Sequence, residues 1–139
     1  MPLKVLLSSA QLQRLEQLAK DSLPNESCAF LLGEDDKEVT IKDVMPMENA
    51  DASRVSFTIS PDETLRAYRV AESRNMQVAG IFHSHPSPPS PSGTDARFME
   101  VNPVVWVIYS TTVNRFGAWV FKDGRVKEVE IDTITSAMA

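Results

Sequence analysis

The stretch FHSHPSPPSPSGTD, residues 82–95, decides how this chain folds and what it does. It contains the only two histidines of the sequence, His83 and His85, then a run of prolines and the acid Asp95. Two interpretations are open at this point. The stretch is either a metal site formed by these three residues or a proline-rich loop that happens to contain histidines.

The residues on either side of the prolines predict a strand and a helix. QVAGIFHSH, residues 77–85, is typical of a buried strand, and side chains two positions apart on a strand point to the same face. One metal ion can therefore reach both His83 and His85. Pro86 lacks an N–H donor and ends the strand. Ser92 with Asp95 three residues later is typical of a helix start, which directs the Asp95 carboxylate back toward the strand end.

Two imidazoles and one carboxylate form a ligand set that is typical of catalytic zinc. Three protein ligands leave a fourth position for water, and such a water loses a proton near neutral pH. A general base must then move that proton to the leaving group. Taken one at a time, the signals also fit a chance His-x-His pair, a simple helix cap, or a P-x-x-P ligand of an SH3-like module. Their combination favours the metal site.

The rest of the chain alternates strands and helices early and collects strands late. A capping box of Ser8 and Gln11 predicts a first helix that ends at Pro24, and Ser60 followed by Pro61 predicts a second. The predicted strands are SCAFLLG and EVTIKDVMP, which form a hairpin, then VSFTI, and finally PVVWVIYS, FGAWVF and RVKEVEI. This order predicts an α/β or α+β class in which helices flank a mixed sheet.

Composition limits the kinds of partner. With 139 residues, 42% of them apolar, the chain is expected to form a single domain over residues 1–139. The net charge of −5 argues against nucleic-acid binding. The single cysteine and the absence of a long apolar run predict a cytoplasmic protein that does not associate with membranes.

At this point the motifs resemble a known family. HSHP followed by SGTD, with the upstream Glu26 in NESCAFLLG, is similar to the JAMM (MPN+) metalloproteases, whose pattern is a Glu, then H-x-H, seven residues, and S-x-x-D. Two positions depart from the family. Ala29 stands where the family usually has glycine, and only six residues separate His85 from Ser92. Glu100 is the alternative carboxylate ligand if the shorter loop displaces Asp95.

The resemblance implies an MPN/JAMM fold, which is a cytidine-deaminase-like mixed β-sheet flanked by helices. It implies one Zn2+ ion held by His83, His85 and Asp95 with a bound water, Glu26 as general acid and base, and Ser92 as a hydrogen-bond donor to the oxyanion. Such a site would belong to a minimal prokaryotic or archaeal-type member, similar to the proteasome-lid deubiquitinase and desampylase-like enzymes.

The function that the resemblance implies is that of a zinc metallopeptidase. It would be an isopeptidase that hydrolyses the bond between the C-terminal glycine of ubiquitin, or of a ubiquitin-like modifier, and a target lysine. Two alternatives remain. One is a hydrolase that releases an amino acid such as cysteine from the C-terminus of a sulfur-carrier protein, and the other is a non-catalytic MPN scaffold. The oligomeric state is open.

Overall fold

The structure, a computed structural model, describes residues 4–47 and 60–134. The predicted strand VSFTI, residues 55–59, lies outside these ranges. The elements, in chain order, are β1 (Lys4–Ser8), α1 (Ser9–Ser22), β2 (Cys28–Asp35), β3 (Val39–Met47), α2 (Pro61–Ser73), β4 (Gln77–His85), α3 (Gly93–Val101), β5 (Val105–Ser110), β6 (Arg115–Lys122) and β7 (Arg125–Ile134).

The seven strands pair in the order β1-β3-β2-β4-β5-β6-β7, and β7 returns to β1, so the sheet closes into a barrel. The pairs β1–β3, β1–β7 and β4–β5 are parallel and the others antiparallel. The mixed sheet with helices confirms the predicted class. Strand β1 and the closure were not predicted, because the apolar part of KVLLS is too short to be distinctive.

Among the described residues, the pairing between β1 and β3 is short. β1 pairs with β3 only at Val39 and Thr40. Farther along, residues 43–47 of β3 pair with β2 on one side and with no strand of the described residues on the other. This unpaired stretch lies at the end of the barrel where β2 begins and β4 ends, since Met47 is opposite Cys28 and Cys28 is opposite His83.

The first two helices begin where the sequence predicts. At α1, Ser8 Oγ accepts from the Gln11 N–H (3.1 Å) and Gln11 Oε1 accepts from the Ser8 N–H (2.8 Å), which is the predicted capping box. At α2, Ser60 Oγ accepts from the Glu63 N–H at 3.2 Å. No helix in the described part of the chain combines the length and the apolar character needed to span a bilayer.

Two apolar clusters cover the two faces of the sheet and give β4 its orientation. One cluster includes Phe82 together with Leu15 and Ala19 of α1. The other includes Ile81 together with Ala67 of α2, Met99 of α3, Cys28 and Trp106. Because β4 side chains alternate between the faces, His83 and His85 follow Ile81 onto the side of α2 and α3. Ser84 follows Phe82 onto the opposite side.

Candidate metal centre

His83, His85 and Asp95 come together at the end of β4. The ligand atoms of the three residues all lie within 4.8 Å of one another, and all three residues are buried. His83 Nε2 is 3.3 Å from Asp95 Oδ1, and His85 Nε2 is 3.4 Å from Asp95 Oδ2. The two strand-end histidines and the first turn of α3 therefore meet at one point.

Hydrogen bonds behind the two rings decide which nitrogen faces this point. His83 Nδ1 lies 3.4 Å from the Ser27 carbonyl oxygen, and His85 Nδ1 lies 3.2 Å from the Ser87 carbonyl oxygen. A carbonyl oxygen only accepts, so His83 Nδ1 carries the proton in its contact with Ser27, whereas His85 Nδ1 also lies 2.8 Å from Ser87 Oγ, which can donate or accept. Both Nε2 atoms face Asp95, and in the neutral rings these are the nitrogens that could bind a metal ion.

The donor set fits a divalent metal ion. Two imidazole nitrogens and a carboxylate oxygen, all buried and converging, can each offer an electron pair to a cation when the rings are neutral. Nitrogen and carboxylate oxygen are ligands that zinc accepts readily. The three residues can therefore hold one metal ion.

Asp95 is held by the cap of α3. Ser92 Oγ accepts from the Asp95 N–H at 3.0 Å, and Asp95 Oδ2 accepts from the Ser92 N–H at 2.9 Å, which completes a capping box. Burial acts to raise the pKa of Asp95, but hydrogen bonds from His83 and His85 outweigh it and hold that pKa well below its usual range. The loop of six residues thus still brings Asp95 to the histidines. Glu100 is exposed and lies outside this group.

Glu26 lies beside the same point, in the segment just before β2. Its Oε1 is 3.3 Å from His83 Nε2, and only 6% of the residue is exposed. Burial raises the pKa of Glu26 to about 7, against the charge of His85, which lowers it. A carboxylate with such a pKa can both take up and release a proton near neutral pH.

The proline-rich segment of residues 86–91, here called the strap, rests on β6. Trp119 Nε1 donates to the Pro89 carbonyl oxygen at 2.8 Å. A Cβ atom at position 117 would lie 2.2 Å from the same oxygen, so only glycine lets the strap approach this strand so closely. Sequence reasoning missed the contribution of Gly117, although a glycine inside a strand often marks such an approach.

Cys28 lies near the site but carries no sign of reactivity. It is buried, and burial raises the pKa of its thiol to about 12. At neutral pH the sulfur is therefore protonated and a poor nucleophile. Its neighbour Ser27, which sequence reasoning did not single out, contacts His83 as described above.

Comparison with known proteins agrees with this geometry. The family model of prokaryotic homologs of the JAB domain matches residues 8–122. A desampylase of Pyrococcus furiosus is 36% identical over 108 residues, which cover 76% of this chain and 74% of that protein. A CysO-cysteine peptidase of Mycobacterium tuberculosis is 25% identical over 120 residues, which cover 84% and 82% of the two chains.

A solved structure has the same fold over nearly the whole chain. The solution structure of a Desulfitobacterium hafniense protein superposes with a TM-score of 0.84 at 28% identity, covering 95% of this chain and 94% of that one. The similarity therefore extends over the barrel and all the elements that form the site.

Proposed function

The chain belongs to the prokaryotic homologs of the JAB domain, a family with hydrolase members, and on this premise we propose that it is a zinc-dependent isopeptidase. Its substrate would be the bond between the C-terminal glycine of a ubiquitin-like modifier and a target lysine. The observation that carries the proposal is the convergence of His83, His85 and Asp95, with Glu26 3.3 Å from His83. The similarity to a desampylase supports a modifier as substrate.

In this proposal His83, His85 and Asp95 hold the zinc ion. Zinc, when bound, supplies a Lewis acid and lowers the pKa of a coordinated water. Other groups of the protein form hydrogen bonds to these ligands and keep them in place. The Ser27 and Ser87 carbonyl oxygens fix the two rings, and the cap of α3 fixes the carboxylate.

Glu26 acts as the general base and then as the general acid. Its buried carboxylate takes a proton from the attacking water and passes it to the leaving lysine amine. A buried carboxylate 3.3 Å from His83 Nε2 is within reach of the site, which supports both halves of this transfer. No covalent intermediate with the protein is needed, since Cys28 is protonated and buried.

Ser92 would stabilise the oxyanion. Its Oγ accepts from the Asp95 N–H, so the hydroxyl proton remains available to donate, and the residue is exposed next to the site. Replacing Ser92 by alanine is expected to lower kcat by about 100-fold, the usual loss for one oxyanion donor. Steady-state kinetics would measure this.

A matched control separates catalysis from helix capping. Ser60 caps α2 as Ser92 caps α3, so Ser60→Ala loses the same kind of hydrogen bond, about 1 kcal/mol, at a helix that carries none of the proposed site residues. It should keep full activity. Equal activity of the two variants would exclude an oxyanion role for Ser92.

The second candidate is a hydrolase that releases cysteine from a sulfur-carrier protein. The observation in its favour is the similarity to a CysO-cysteine peptidase, which spans a larger share of the chain at a lower identity. Both candidates use the same residues and the same chemistry. They differ in the group beyond the scissile bond, so substrate trials separate them.

The test uses the purified full chain with two substrates. One is a ubiquitin-like protein joined through its C-terminal glycine to a target lysine, and the other is a sulfur-carrier protein with a C-terminal cysteine. Mass spectrometry identifies the products. We expect cleavage of the first, its loss after a chelator, and its recovery when zinc is restored. Preferential cleavage of the second would favour the second candidate, and activity that survives thorough zinc removal would contradict both.

A further inference from the structure

We propose that Ser84, the residue between the two histidines, positions Glu26 by holding the Glu26–Ser27 peptide. This inference rests on the proposed function, because it concerns the same site. Ser84 is a positioning residue here, since its side chain lies on the opposite face of β4 from His83 and His85.

The contact is a pair of buried hydroxyl groups and a backbone amide. Ser84 Oγ accepts from the Ser27 N–H at 3.0 Å and lies 2.5 Å from Ser27 Oγ. Ser84 is fully buried and Ser27 is 3% exposed. Breaking this contact would leave buried polar groups without a partner, which costs free energy, so we expect the contact to persist.

The other end of Ser27 is held as well. Its carbonyl oxygen accepts from the Ser84 N–H at 3.1 Å and lies 3.4 Å from His83 Nδ1. Ser27 is therefore fixed at its amide by the Ser84 side chain and at its carbonyl by β4 and a metal-site histidine. The same residue orients the ring of His83 and connects to Glu26.

Because the peptide unit is planar, the restraint on the Ser27 N–H also restrains Glu26. The Ser27 nitrogen belongs to the planar unit that also contains the Glu26 Cα atom, carbonyl carbon and oxygen. A hydrogen bond to that N–H thus restrains both the plane and the Glu26 Cα atom. From a restrained Cα, the carboxylate reaches the point 3.3 Å from His83 Nε2.

Glu26 needs such a restraint because it lies outside the sheet. The β2–β4 pairing begins with Cys28 opposite His83, so Glu26 precedes the ladder. Residues beyond the end of a ladder open more easily than residues inside it. A base displaced by about 1 Å can lose about 100-fold in rate. The hydrogen bond to the Ser84 hydroxyl therefore restrains the chain beyond the end of the β2–β4 ladder, next to Glu26.

Two serine-to-alanine variants form a matched test. Ser84→Ala removes the acceptor of the Ser27 N–H, whereas Ser27→Ala removes an equally buried hydroxyl but leaves that N–H bonded to Ser84. Ser84→Thr restores a hydroxyl at the same place. Ser84→Cys is similar in size to serine but a weak acceptor, and it replaces the alanine variant if that one does not fold.

We measure kcat, KM, the zinc Kd and, in the zinc-free protein, hydrogen exchange of the Ser27 amide. Ser84→Ala is expected to lower kcat by about 10- to 100-fold. KM and the zinc Kd should stay within about threefold of the wild type, and the Ser27 amide should exchange faster. Ser84→Thr should recover most of kcat, and Ser27→Ala, which keeps the hydrogen bond from its N–H to Ser84, should lose much less kcat than Ser84→Ala.

Three results would overturn the positioning role. They are an unchanged kcat in Ser84→Ala, a loss in Ser27→Ala as large as that in Ser84→Ala, or a zinc affinity that falls in step with kcat. A wild type that cleaves neither substrate would contradict the proposed function instead. The exchange measurement still decides in that case, because a Ser27 amide that exchanges equally fast in wild type and Ser84→Ala would show that Ser84 does not hold it.

Discussion

Glu26→Gln is expected to abolish hydrolysis while zinc stays bound. Glutamine has nearly the shape of glutamate but cannot take up the proton of the attacking water or return it to the leaving amine. Loss of general acid and base catalysis should lower kcat by about 100- to 10,000-fold. Because Glu26 is not among the three grouped ligands, metal content measured by mass spectrometry should equal that of the wild type.

Glu34→Gln is the matched control for this variant. Glu34 lies at the exposed end of β2 and accepts from Lys42 Nζ at 2.8 Å, away from the histidines. It should keep wild-type kcat and zinc content. Activity retained in Glu26→Gln would place the base elsewhere, and zinc lost from it would make Glu26 a ligand.

Replacement of Asp95 by asparagine is expected to remove the metal ion and the activity together. Asparagine keeps one oxygen that can accept from the Ser92 N–H, so the cap of α3 survives. It loses the negative charge that balances the metal between His83 and His85. Zinc affinity should fall by more than about 100-fold, the upper range for residues that only support a ligand.

Asp95→Ala completes the comparison. It loses the charge and also the capping hydrogen bond, worth about 1 kcal/mol, so it should match Asp95→Asn in zinc affinity but unfold at a lower temperature. Isothermal titration and thermal unfolding of the zinc-free proteins measure the two effects separately. If Asp95→Asn held zinc as tightly as the wild type, Asp95 would not be a ligand.

Local signals in the sequence predicted the grouping of the three metal-site residues. The spacing of His83 and His85 follows from strand geometry, and the direction of Asp95 follows from the pattern that begins with Ser92. Both are relations between residues a few positions apart, and these are the ones that sequence patterns report well. The roles of Glu26 and Ser92 came from the family resemblance and stay predictions.

The features that sequence reasoning missed depend on residues far apart in the chain. Ser27 and Ser84 are 57 positions apart, and Pro89 and Trp119 are 30 apart. Nothing in the neighbourhood of either serine marks it as a partner of the other. Likewise, β1 finds its place through β3 and, over its whole length, through β7 at the far end of the chain, so five residues of weak pattern could not reveal it.

Residues 43–47 of β3 pair with β2 alone among the strands that the structure describes, and this one-sided pairing bears on self-association. An unpaired strand can template the strand of a second molecule and lead to aggregation. Here Pro46 has no N–H to offer, and the Val44 N–H is occupied by its neighbour Asp43 Oδ1 at 2.9 Å. Val44 and Pro46, which are two positions apart on the strand, thus both lack a free N–H donor. This edge of β3 therefore offers few backbone donors to the strand of a second molecule.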